Sequence, residues 1–234
     1  MKCVILAGGL GTRISEETHN KPKPMVEIDG KPILWHLMKI FSNYGINDFI
    51  ICCDYKKEII QNYVETLDES WQINAVDTGE NTMTGGRLKR VEKLLNGETF
   101  CFTYGDTLND LNITALIEFH KLNNDIATVT ACQPPEKYGI LKIDDSKVIE
   151  FKEKPINQGK WVNGGFFVLE SNIFNYIKGD ETSWEKEPME QLIKEGKLNA
   201  FKHYGFYKPM DTISDRNYLE NLCKLNQAHW KVWK

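Results

Sequence analysis

The chain shows two textures of apolar and polar positions. Four short runs, residues 3–7, 49–53, 99–103 and 126–130, are rich in β-branched or aromatic side chains, and several are apolar throughout. That is expected of strands buried on both faces of a parallel sheet. Between them apolar residues recur at helical spacing. Ile33, Leu34, Leu37, Met38, Phe41 and Tyr44 share one face, and Gly45 follows as a stop signal. A second helical pattern covers residues 112–122. Strand and helix in alternation predict a right-handed parallel α/β sheet.

After Pro134 strands follow one another more closely. Residues 138–143, 148–152 and 162–169 read as strands, with Asp144-Asp145 as a corner. Helices are expected over 171–178 and 188–195. A C-terminal helix is expected to carry Tyr218, Leu219, Leu222 and Leu225. Trp230 and Trp233 in the tail would be costly in water, so they are expected to dock on the body or on another subunit. With 234 residues and no linker or repeat, a single domain is expected.

Charge and cysteine content narrow the classes of function. Thirty-three acids against 29 bases give a net charge of −4, which argues against a nucleic-acid partner. Any bound phosphate must then be held by local basic groups. The run at 3–7 is too short for a signal-peptide core or a membrane span, so no membrane association is expected. Of the six cysteines, Cys3, Cys52, Cys53, Cys101 and Cys132 lie in apolar runs, and no C-x-x-C pair occurs. Buried thiols of this kind point to the reducing cytoplasm. The five histidines do not cluster at metal-ligand spacing. No G-x-S-x-G elbow is present, so a serine hydrolase has no support.

The strongest local signal is Leu6-Ala7-Gly8-Gly9-Leu10-Gly11-Thr12-Arg13, directly after the first strand. Glycines let the backbone approach a ligand and turn N–H groups toward an anion. The spacing is neither G-x-G-x-x-G nor a Walker loop. Taken alone it is also compatible with a tight strand-to-helix turn. Thr12 and Arg13 add phosphate-holding groups at the loop exit. Lys21-Pro22-Lys23-Pro24 follows as a stiff extended segment that holds its lysines in place.

The glycine loop together with Lys23-Pro24 resembles the signature of the sugar-1-phosphate nucleotidylyltransferases. Residues 21–28, 30–36, 45–53, 83–90 and 163–169 extend the likeness along most of the chain, toward the cytidylyltransferase branch. The resemblance implies a Rossmann-like fold with a mixed central sheet and an inserted β-rich sugar-binding lobe. Residues 1–133 would form its nucleotide part, and 134–234 the sugar-phosphate lobe and C-terminal helices. It implies CTP, a sugar 1-phosphate (α-D-glucose 1-phosphate as the expected acceptor) and Mg²⁺. The nucleotide would meet Leu6, Ala7, Gly8, Gly9, Gly11, Thr12, Arg13, Thr82 and Arg87, and the sugar phosphate Tyr138, Gly139, Glu153, Lys154, Asn163 and Gly164. Arg13 and Lys23 would act catalytically with Asp106, and Asp106 with Asp211 would hold the metal. These groups amount to a strong local positive charge inside an acidic protein.

Read without the resemblance, several of these residues stay open. Asp106 ends a strand, where it can bind a metal or simply close a turn. Asp211 precedes a helix and can cap it. Arg87 can be an exposed helix charge paired with Glu92. Glycines weaken a strand unless something approaches closely, so Gly164 and Gly165 mark a close neighbour, for which a sugar ring is one occupant. In the cytidylyltransferases a longer segment follows the equivalent of 59–63, whereas residues 64–76 bridge it briefly here. That segment helps subunits associate, which leaves a homo-oligomer open, and with it another nucleotide such as UTP or dTTP or another phosphorylated acceptor. A catalytically silent nucleotide-sugar-binding subunit is the alternative from a different class.

Overall fold

The computed structural model describes residues 1–233 apart from Leu10, 135–138 and 154–159, and apart from the side chains of Arg13 and Glu16. Along the chain run β1 (Cys3–Leu6), α1 (Ser15–Thr18), β2 (Glu27–Ile28), β3 (Lys31–Pro32), α2 (Ile33–Asn43), β4 (Asp48–Cys53), α3 (Lys57–Glu65) and β5 (Gln72–Asp77). Next come α4 (Thr84–Arg90), β6 (Phe100–Tyr104), β7 (Thr107–Asn109), α5 (Ile113–Asn123) and β8 (Ala127–Cys132). The last third holds β9 (Ile140–Asp144), β10 (Lys147–Lys152), β11 (Val162–Leu169), α6 (Glu187–Lys194), β12 (Leu198–His203), β13 (Tyr207–Pro209) and α7 (Ile213–Lys224).

Among the described residues seven strands form the central sheet in the order β12-β8-β11-β6-β1-β4-β5. β1 pairs in parallel with β4 on one side and β6 on the other. β11 runs antiparallel between β6 and β8, so the sheet is mixed. Alternate residues of β1 serve two cores. Cys3 and Ile5 pack in the cluster that holds Leu37 and Phe41 of α2. Val4 and Leu6 pack in the cluster that holds Leu88 of α4 and Trp184. Burial on both faces accounts for the unbroken apolar run of this strand. The chain leaves β1 toward β4 and β5, then returns to β6 on its other side. Such a reversal opens a crevice beyond the carboxyl ends of the strands.

Two expectations differ in detail. Residues 171–178 form a 3-10 turn over Ser171–Tyr176 rather than a full helix, because Ile177 is already extended. β9 and β10 make a two-stranded hairpin apart from the main sheet, with Asp145 at positive φ in its corner.

The tail docks on the body. Trp230 is fully buried, and its ring lies 5.6 Å from that of Phe206 and edge-on to His36 at 6.1 Å. Trp233 meets Trp35 edge-on at 5.6 Å. His36 Nε2 donates to the Ile28 carbonyl at 2.8 Å, and Trp230 Nε1 donates to His36 Nδ1 at 3.4 Å. The neutral ring is satisfied on both nitrogens, and burial pushes its pKa down to about 4. The folded pKa lies below the unfolded value, so the unfolded chain binds more protons between pH 6.5 and pH 4. His36 therefore withdraws stability as pH falls through that window, by about 3 kcal/mol in all. Urea unfolding of wild type and His36→Gln at pH 7 and pH 4 checks this. The wild-type advantage is expected to shrink by that amount on acidification, and a constant difference would exclude the neutral buried ring.

Candidate active site

Beyond the carboxyl ends of β1 and β6 lies a cavity of about 490 Å³. Leu6, Gly8 and Gly9 form one wall, Thr82, Met83, Thr84 and Arg87 another, and Lys23, Asp106 and Asp211 lie together on its lining with Tyr104 and Tyr207. Two glycines are required by close approach. A Cβ on Gly8 would come within 2.1 Å of Arg87 Nη1, and one on Gly105 within 2.6 Å of the Leu6 carbonyl oxygen. The first lets a guanidinium lie against the loop backbone. The second lets the turn after β6 close against β1, with Gly105 N–H donating to the Leu6 carbonyl at 2.9 Å.

The charged groups are organised in pairs. Lys23 Nζ donates to Asp106 Oδ2 at 2.6 Å and to Asp211 Oδ1 at 2.8 Å. Burial lowers the lysine pKa, but the two carboxylates outweigh it and hold the pKa above the ordinary value. Arg87 is buried and donates to Asp54 Oδ2 at 2.5 Å and to Thr78 Oγ1 at 3.1 Å. The strong positive charge expected from the basic residues is thus balanced, among the described residues, by Asp54, Asp106 and Asp211. Arg87 is neither exposed nor paired with Glu92, which takes Lys89 instead at 3.0 Å. Asp211 does not cap the C-terminal helix. Thr212 does so in a reciprocal capping box with Asp215, leaving the Asp211 carboxylate to Lys23.

Strand pairing brings the backbones of the two aspartates together. β13 runs antiparallel to β7, with Pro209 opposite Thr107, and the Met210 N–H donates to the Asp106 carbonyl at 2.9 Å. Residues more than 100 positions apart are brought together by backbone bonds and do not depend on Lys23 for their position.

The other described candidates are spread over the glycine loop, β11 and the ends of the β9–β10 hairpin. Ala7 is buried, with its N–H committed to the Cys52 carbonyl at 2.9 Å. Gly11 has φ +63°, and its carbonyl accepts from Thr18 Oγ1 at 3.0 Å. Thr12 opens the short helical turn that follows. Asn163 Nδ2 donates to Tyr104 Oη at 3.4 Å, which links it to the cavity wall. What approaches Gly164 is β8, since a Cβ there would lie 2.6 Å from Cys132 Sγ. On the hairpin Gly139 lies against Phe151 and Glu153, whose Oε2 is 3.0 Å from the place of a glycine Cβ. The Arg13 side chain, Tyr138 and Lys154 lie outside the described residues.

Two acidic residues escaped the sequence reading. Asp54, which anchors Arg87, stands directly after β4, at the same carboxyl edge that marked Asp106. Glu185 accepts from Tyr104 Oη and Thr84 Oγ1, both at 2.7 Å, and from Ser183 Oγ at 2.9 Å. It thereby ties Thr84 on one wall to Tyr104 on the cavity lining. Burial first, and the Glu185 carboxylate next, raise the pKa of Tyr104, which stays protonated. Nothing in the surroundings of Glu185 along the chain announced this role.

Residues 2–226 match the nucleotidyl transferase family. The chain belongs to that family. A glucose-1-phosphate cytidylyltransferase of Salmonella typhi is 50% identical, with all of both chains covered in an alignment of 257 residues. A probable glucose-1-phosphate cytidylyltransferase of Bacillus subtilis is 40% identical, again over all of both chains. Among solved structures, HddC from Yersinia pseudotuberculosis complexed with GMP-PN has a TM-score of 0.73 and 27% identity, covering 94% of this chain and 98% of its own. The family thus accounts for the Rossmann-like mixed sheet and for an enzyme that joins a nucleotide to a sugar 1-phosphate. The Salmonella alignment is longer than the 234 residues of this chain, so that relative carries stretches missing here. In this chain α3 ends at Glu65 and β5 begins at Gln72. The intervening residues fold back on α2, with Glu69 2.9 Å from Lys39.

Proposed function

We propose that the protein converts CTP and α-D-glucose 1-phosphate to CDP-glucose and pyrophosphate. The full-length 50% identity to the Salmonella typhi enzyme supports the substrates. The observation that carries the chemistry is the convergence of Lys23, Asp106 and Asp211 on one cavity bordered by the glycine loop. A phosphate oxygen of the sugar phosphate attacks the α-phosphorus in line. The bond between α-phosphorus and the bridging oxygen breaks, and pyrophosphate leaves with that oxygen. No covalent enzyme intermediate is needed, so the protein supplies alignment and charge neutralisation.

Asp106 and Asp211 fit a divalent metal, for which we propose Mg²⁺. Both are oxygen donors, and both already converge on a single cation, the Lys23 ammonium. When bound, the metal would neutralise phosphate charge at the reacting centre. Lys23 is assigned to the α-phosphate, Arg13 to the leaving pyrophosphate and Lys154 to the incoming sugar phosphate, with Glu153 and Asn163 on the sugar. Leu6–Gly9 and Thr82–Arg87 flank the cavity where the base would lie, and their polar groups would distinguish the 4-amino group of cytosine from a carbonyl. Residues 1–133 would serve the nucleotide and 134–234 the sugar, within one domain.

The same proposal includes a homo-oligomer and a cytoplasmic setting. The hairpin leaves Ile143, Val148, Ile149 and Phe151 each more than half exposed, a patch of the kind that marks an interface. All six cysteines are free and five are buried. Among the described residues no helix is long and apolar enough to cross a membrane. A pyrophosphate-release screen crossing the common nucleoside triphosphates with sugar 1-phosphates tests the reading. The fastest turnover is expected with CTP and glucose 1-phosphate, and turnover with none of the pairs would remove the assignment.

A further inference from the structure

The carboxylate pair assigned to the metal already holds a cation. Lys23 bridges Asp106 and Asp211 at 2.6 and 2.8 Å, with only 10% of its side chain exposed. Its backbone is stiff, flanked by Pro22 at φ −68° and by Pro24. The carboxylates are positioned independently by the pairing of β7 with β13. With the backbones held, the contact breaks by side-chain rotation, for which the lysine has the longest and most flexible stem.

A magnesium-sized ion takes carboxylate oxygens at about 2.0–2.1 Å. It would need the oxygens that the ammonium now occupies, and two cations in such a space repel strongly when little water screens them. Ammonium and metal thus compete for one site. Leaving it empty is also unfavourable, because two adjacent half-buried carboxylates repel each other when nothing neutralises them.

We propose that Lys23 is a placeholder for the metal. In the nucleotide-free protein its ammonium occupies the cation site between Asp106 and Asp211. The divalent ion gains the site when nucleotide phosphates arrive and offer Lys23 another anion. This rests on the reading of Asp106 and Asp211 as metal ligands. It makes metal affinity conditional on nucleotide, and it keeps Lys23 within one side-chain rotation of the phosphates it is to meet. One residue thereby couples filling of the metal site to delivery of a catalytic cation.

The test is direct Mn²⁺ binding to the full, nucleotide-free chain, followed by the electron-paramagnetic-resonance signal of the free ion, with no turnover involved. Lys23→Gln is expected to bind Mn²⁺ at least tenfold more tightly than wild type. Lys21→Gln removes the same charge from a lysine that lies 3.8 Å from Glu27, and is expected to bind as weakly as wild type. Lys23→Arg keeps a cation and is expected to do the same. If Lys23→Gln does not fold, Lys23→Met takes its place. Binding by Lys23→Gln no tighter than by Lys21→Gln overturns the placeholder and leaves the metal ligands untouched. Lys23→Gln combined with Asp106→Asn is expected to lose the gain. If the gain persists there, the ion is not on this carboxylate pair, and the metal assignment fails together with the placeholder.

Discussion

Asp106→Asn and Asp211→Asn are each expected to lower kcat by about 10²–10³-fold in a pyrophosphate-release assay, the scale of losing one charge-organising group at a reacting centre. Asparagine keeps the shape and an oxygen that can still accept from Lys23. The turn after β6 is held by backbone bonds, from Gly105 to Leu6 and from Met210 to Asp106. Folding should survive, and circular dichroism checks it. The loss should fall on kcat, because neither carboxylate is placed against the base or the sugar ring. A variant that retains kcat within threefold would take its residue out of the metal site.

Trp230→Ala is expected to cost about 3–5 kcal/mol in urea unfolding, the range for a buried aromatic ring replaced by alanine. Trp230 is fully buried against Phe206 and His36. Its removal opens a cavity and also leaves His36 Nδ1 without the indole N–H donor. Against a typical stability of about 5–15 kcal/mol this is a large share. It lies in the tail, which the substrate cavity does not use, so kcat of the folded fraction should change little. A loss below about 1 kcal/mol would mean that the tail is not part of the core.

The fold was legible where strands are buried on both faces. β1, β4, β6 and β8 announced themselves as apolar runs for that reason. β5 and β12 did not, because each is an edge strand with polar residues, Gln72 and Asn74 in one and Asn199 and Lys202 in the other. α3 was missed because Ile60 is its one fully buried residue. In the site, the glycine loop and Lys23 are local in sequence and could be seen. The closeness of Asp211 to Asp106 came only through the resemblance, since it depends on β7 pairing with β13. Asp54 carried a readable signal, an acid at the carboxyl end of a parallel strand. Glu185 carried none, because its role depends on three hydroxyl partners, two of them far along the chain. At Gly164 the close neighbour in the structure is β8, which a sequence alone does not name because the pairing is non-local.

The central claim is that this chain makes a CDP-sugar, and the most direct measurement is a competition. Equal CTP and UTP are supplied with glucose 1-phosphate and Mg²⁺, and the products are separated by mass. Discrimination here depends on hydrogen bonds to the 4-position of the pyrimidine, and unpaired buried partners make it large, on the order of 10²-fold or more. CDP-glucose is expected to dominate by that factor. Equal amounts of UDP-glucose and CDP-glucose would contradict the account of the base site.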